Sequence, residues 1–246
     1  MENSVAQILI EEAKQRDSFN ELSEEKPDPL MVAKRYNDEY ISLICALFAY
    51  GNAKLIVKFL DSLDFTFLDN DKEITQNLYY RFQSNKDVFE FFKTMRLLKN
   101  SISIEEQFYK GYSKKRDVMD GLSSIISYIY DLNSYRSRGY EFLIGKVPTF
   151  KTNSPYKRWH MYLRWMVRHD NLDMGLWGSV SKKDLLVPLD THTFKVGQKL
   201  GLVKRKSYDF KAVLELTDSF RKIDLEDPIK FDFALYRIGQ EKKYKI

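Results

Sequence analysis

Lys157 and Asp190 are the two side chains whose types and settings suit covalent chemistry carried out together. Lys157 ends the run Asn153-Ser154-Pro155-Tyr156-Lys157, and Asp190 stands in Val187-Pro188-Leu189-Asp190-Thr191-His192. A carboxylate can stabilise positive charge building on a carbon, and a neutral amine can attack that carbon and hold it as a Schiff base. Both residues are predicted at the mouth of a helix. Helix amides favour the ionised carboxylate, and the positive end of the helix disfavours an ammonium. Read alone, Asp190 is also an ordinary N-cap, and Lys157 is equally a solvated or phosphate-contacting cation.

The elements that must position this pair are helical. After Asp190, Phe194, Gly197 and Leu200 form an inward stripe, Lys199 falls in the last turn, and Gly201 follows as a C-cap. After Lys157, the three-and-four spacing places Trp159, Tyr162, Leu163 and Met166 on a packing face. It places Lys157, Met161, Arg164 and Arg168 on a basic face. Earlier, Asp38 to Tyr50 reads as a buried apolar helix stopped at Gly51-Asn52, and Ala53 to Leu63 resumes it as a helical hairpin. Ser103 with Glu106 makes a capping-box pattern, Met119 to Tyr130 repeats apolar residues at helical spacing, and Asp227-Pro228 opens an apolar helix from Phe231 to Ile238 before Gly239. No succession of alternating strands appears, so the expected fold class is all-α.

Composition limits the classes of partner. The chain has 246 residues, 43% hydrophobic, 30% charged and 15% aromatic, which suits an ordered globular protein. Lysine plus arginine exceed aspartate plus glutamate by 40 to 35, and Lys151 to Arg168 carries five cations without an acid, so a polyanion is a plausible partner. The one cysteine, Cys45, lies in an apolar run, which excludes a disulfide framework or a cysteine-ligated iron–sulfur cluster and points to a small buried thiol. Of the three histidines, His160 and His169 are nine residues apart, which suits no common helical ligand pair, so neither metal nor cofactor is expected. Without a signal-like start or a long apolar run, the chain is expected to be a soluble cytoplasmic protein with no membrane partner.

Leu189-Asp190-Thr191-His192 followed by Phe194-Lys195-Val196 resembles the segment carrying the catalytic aspartate in the helix-hairpin-helix DNA glycosylases of the endonuclease III superfamily. Asn153 to Lys157 occupies the place of their hairpin, Phe233 to Gln240 is similar to their late helix, and Phe48 to Asn52 looks like the helix end from which they push a side chain into DNA. The interval from Lys157 to Asp190 is closest to that of the archaeal 8-oxoguanine glycosylases. The words Lys157-Arg158, Leu163-Arg164-Trp165-Met166-Val167-Arg168 and Leu189-Asp190-Thr191-His192 also resemble a bacterial family catalogued without a function.

The glycosylase resemblance implies two helical subdomains, 31–200 and 1–30 plus 201–246, with an active-site cleft between them. It implies a monomer that acts on double-stranded DNA containing a damaged base, associated with the nucleoid. Lys157 and Asp190 would be catalytic, Tyr50 and Asn52 would fill the gap left by an extruded base, and Arg158, Arg164, Arg168 and Lys195 would bind phosphates with Lys199. Tyr156, Trp159 and Trp165 would stack on the base. The hairpin departs from the family pattern, because it lacks glycines and Pro155 has no amide to offer a phosphate. The competing expectations are a glycosylase working without the lysine, a nucleic-acid-binding module without chemistry, and an α-helical protein-interaction domain.

Overall fold

The structure is a computed structural model that describes residues 3–70, 77–151 and 153–241. Its fold is all-α: among the described residues there are twelve α-helices and no β-strand, only the isolated bridges Tyr80–Gln83 and His169–Met174. None of these helices is long and apolar enough to cross a membrane. The chain divides into two compact units, one of residues 23–150 and one joining 1–22 to 151–246. Residues 151–200 thus group with the two ends of the chain, whereas the sequence reading set the limits near 30 and 200.

The 23–150 unit holds α2 (Pro29–Tyr36), α3 (Glu39–Leu47), α4 (Ala53–Asp61), α5 (Asn85–Lys99), α6 (Ile104–Tyr112), α7 (Val118–Leu132) and α8 (Arg138–Ile144). Local caps explain most starts: Asp38, Asn52, Ser84, Ser103 and Asp117 each accept first-turn amides at the heads of α3 to α7. α3 is buried from Tyr40 to Leu47, and Cys45 lies in its core, where burial pushes the thiol pKa up. The helix ends before Tyr50, earlier than its apolar run suggests. The Ala49 amide turns back to Ala46 O and the Tyr50 amide to Phe48 O, so the chain tightens into a turn before Gly51 at φ 108°. The predicted hairpin into α4 is present.

The other unit holds α1 (Asn3–Arg16), α9 (Lys157–Val167), α10 (Thr191–Lys199), α11 (Phe210–Arg221) and α12 (Phe231–Glu241). α1 and α10 both pack on α12. α9 is buried along its length from Trp159 onward. α10 closes as expected of Gly201: at φ 71° its amide bonds Gln198 O, and Leu202 N bonds Gly197 O, a Schellman closure. Gly239, by contrast, does not stop α12. A Cβ there would collide with Val196 Cγ2 and His192 Nε2, so this glycine lets α12 approach α10 closely.

Candidate active site

Asp190 caps α10 with one oxygen and leaves the other uncommitted. Its Oδ1 accepts from the His192 amide at 2.8 Å, the Thr193 amide at 2.8 Å and Thr193 Oγ1 at 3.0 Å, while Thr193 Oγ1 also accepts from the Asp190 amide at 3.0 Å. This reciprocal box fixes the carboxylate, and Oδ2 has no hydrogen-bond partner among the described residues. Asp190 is half-buried, and the buried run from Leu185 to Leu189 anchors its approach.

Lys157 is the first residue of α9 and is also half-buried. Its Nζ reaches one turn along the helix to Met161 Sδ at 3.2 Å and makes no ion pair among the described residues. Tyr156, just before it, sits in the left-handed region at φ 44°, ψ 36°, and no side chain caps the helix. The hairpin has no glycine here, yet it keeps a backbone conformation that glycine usually supplies. Tyr156 is 8% exposed. Asn153 O accepts the Phe210 amide at 3.0 Å, tying the hairpin to the head of α11.

A third group, which sequence reading missed, joins the pair. Asp232, in the first turn of α12, is buried and receives Arg164 Nη1 on Oδ2 at 2.6 Å. Burial pushes its carboxyl up to about 6 against the Arg164 cation, the Asp190 charge adds to that rise, and the Lys157 charge opposes it. Asp232 therefore lies within electrostatic reach of both Lys157 and Asp190. The only sequence signal was an acid four residues after Asp227-Pro228, inside an apolar helix.

The basic face expected on α9 is not a surface. Arg164 and Arg168 are 5% and 7% exposed. Arg164 Nε bonds Asp173 Oδ1 at 3.1 Å, besides its bond to Asp232. Arg168 bonds Asp170 at 2.8 Å, Asp227 at 2.8 Å and Asp173 at closer range. Their charges are neutralised by aspartates from other segments, so neither cation is presented to a phosphate. The segment after α9 makes this possible, since Met174 N and Gly175 N both bond Trp165 O and Trp177 N bonds Met166 O, folding Asp170 and Asp173 onto the helix end.

Trp159 and Trp165, expected to stack on a base, are 3% and 1% exposed and belong to the core; Trp159 meets Tyr162 edge-on. Arg158 is half-buried, and Lys195 and Lys199 are exposed on α10. In the 23–150 unit, the Asn52 side chain is occupied in capping α4 through the Lys54 and Leu55 amides. Tyr50 is half-buried, with its hydroxyl bonded to Gln83 Oε1 and its ring set edge-on to Phe142 at 5.1 Å.

His160 is 1% exposed on α9, and neither ring nitrogen has a hydrogen-bond partner among the described residues. Burial pushes its pKa down to about 3, so the ring is neutral. No group of three or more His, Cys, Asp or Glu among the described residues could hold a metal ion. A pocket of about 300 Å³ is lined by α1 and the Arg168 network, including Ile10, Lys14, Lys230 and Phe233; neither Lys157 nor Asp190 lines it.

No curated protein and no solved structure matches the chain. A family model described as "Protein of unknown function (DUF2400)" matches residues 28–241, which takes in Lys157, Asp190 and Asp232, and the chain belongs to that family.

Proposed function

We propose that this protein is a DNA base-excision glycosylase with an associated AP lyase activity, acting on double-stranded DNA that carries an oxidised purine, with 8-oxoguanine the first lesion to test. The observation that carries the reading is a pinned carboxylate with an uncommitted oxygen, Asp190, together with a lysine amine free of ion pairs among the described residues, Lys157, whose charges both act on the buried Asp232. The likeness of the Leu189-Asp190-Thr191-His192 segment to that of the helix-hairpin-helix glycosylases supports the same reading.

In this reaction the damaged nucleotide turns out of the duplex, because a stacked base shields the sugar carbon. As the bond between base and C1′ breaks, its electron pair leaves with the base and positive charge grows on the sugar. The Asp190 carboxylate stabilises that charge where water screens poorly. Neutral Lys157 forms a bond from Nζ to C1′, and opening of the sugar ring gives a Schiff base. Loss of a proton from C2′ then expels the 3′ phosphate and cuts the strand. Lys157 must lose a proton to solvent before it attacks.

A glycosylase working with water in place of the lysine is the second reading, favoured by the missing hairpin glycines and by Pro155. Duplexes each carrying one lesion separate the two. Base release with strand cleavage at the same rate supports the lysine route. Base release leaving an intact abasic strand supports water, and release of no base from any lesion contradicts both.

A further inference from the structure

In the 23–150 unit an aromatic turn is held out to solvent by a rigid frame. Tyr80 and Gln83 exchange backbone hydrogen bonds at 3.1 and 2.9 Å, closing a two-residue turn at Arg81-Phe82 with Arg81 at φ 52°. Gln83 is fully buried, and its amide nitrogen bonds Gly139 O at 2.9 Å while its oxygen takes the Tyr50 hydroxyl. Tyr80 is buried, and its hydroxyl bonds Tyr50 O at 2.9 Å. The base of the turn cannot shift without breaking these bonds.

The tip leaves ring surface in solvent, with the Tyr79 hydroxyl bonded to Arg81 O at 2.8 Å. Tyr79 is 64% exposed, Phe82 61% and Phe142 42%. Phe82 lies parallel to Tyr50 at 6.1 Å and edge-on to Phe142 at 5.0 Å. The Arg81 guanidinium sits over the rings of Tyr50 and Phe82 at 5.6 and 5.7 Å and makes no ion pair among the described residues. Gly51 supplies the room, since a Cβ there would collide with Arg81 Nη1. A left-handed arginine costs backbone free energy, and the exposed ring surface of Tyr79 and Phe82 is left to solvent.

The surroundings favour a polyanion with flat faces. Lys54, Lys86 and Arg138, at the heads of α4, α5 and α8, are all exposed, with Lys86 Nζ over the Tyr135 ring at 5.5 Å, and Glu141 is an exposed acid next to Phe142 in the sequence. Exposed rings with Arg81 against them, and exposed cations at the heads of helices of the same unit, match a nucleic-acid strand, whose bases stack on aromatic faces and whose phosphates take the cations. We propose that the Tyr79 to Phe82 turn is a nucleobase-stacking wedge, with Phe82 and Tyr79 meeting an unstacked base or the gap it leaves and Arg81 meeting the adjoining phosphate. This rests on the DNA-binding part of the proposed function and not on the chemistry of Lys157 or Asp190.

The test is binding of the full chain to a duplex carrying a tetrahydrofuran abasic analogue opposite 2-aminopurine, followed by anisotropy and by 2-aminopurine emission. Wild type should bind and change the emission. The Tyr79→Ala/Phe82→Ala variant should bind about tenfold more weakly and leave the emission unchanged. Arg81→Ala should lower the slope of log affinity against log salt by about one. Matching thermal midpoints establish that the variants fold. A double variant binding within twofold of wild type, with the same emission change, overturns the wedge while leaving the DNA reading intact. A wild type that binds no DNA overturns both.

Discussion

Asp190 has two jobs that substitution can separate. Asparagine is as good an N-cap as aspartate, whereas alanine removes the acceptor for the His192 and Thr193 amides and costs about 1 kcal/mol. Asp190→Asn should therefore melt within a degree or two of wild type yet release base at least a hundredfold more slowly, while Asp190→Ala should lose both stability and rate. Equal base release by wild type and Asp190→Asn would remove the carboxylate from the mechanism. His160 makes a separate prediction about pH. Its ring titrates near 6.5 in the unfolded chain and about 3 when folded, so the unfolded chain binds the extra proton between those values. The stability it contributes is complete above about pH 6.5 and falls with pH by up to about 1.4 kcal/mol per unit. Asp232, with its pKa raised by burial, acts in the opposite sense up to about pH 6, so the variant must be compared with wild type at each pH. The stability difference between wild type and His160→Leu should shift steadily in favour of the variant from pH 7 to 4. Parallel denaturation curves would show that the ring has a partner.

At the scale of the element, α10 is positioned by its close approach to α12. The Gly239→Ala variant places a methyl against Val196 and His192, and overpacking of this kind costs about 1–3 kcal/mol. The thermal midpoint should fall by several degrees; an unchanged midpoint would mean that the helices separate freely. Sequence reading found the start of α9, the cap and closure of α10 and the hairpin at Gly51, because each is decided by residues within one helical turn. It mistook Gly239 for a stop and Arg164 and Arg168 for a surface. The residues that decide those features, His192 and Val196 for the glycine and Asp173, Asp227 and Asp232 for the arginines, come from other segments. Asp232 stayed hidden for the same reason: an acid in an apolar helix signals a partner without naming it.

At the scale of the whole molecule, the buried network of Arg164 and Arg168 with four aspartates joins α9, the segment behind it and the head of α12. Removing one member would strand a buried charge, a loss of about 3–5 kcal/mol, so these arginines are poor choices for testing DNA contacts. The two units differ in how the chain builds them. Residues 23–150 form one from a continuous stretch with its own core, while the other needs both ends of the chain. A fragment spanning 23–150 should fold alone, giving helical circular dichroism, a cooperative melt and dispersed amide resonances. A collapsed spectrum would show that its core depends on the rest of the chain.

The central role is that of Lys157 as nucleophile, and borohydride tests it directly. Incubated with a duplex containing 8-oxoguanine or another oxidised purine and then reduced, the wild-type protein should form a covalent adduct with DNA that survives denaturing electrophoresis. Lys157→Ala should form none while still binding the duplex. Base release by the wild type without any trapped adduct, or an adduct that persists in Lys157→Ala, would contradict the assignment.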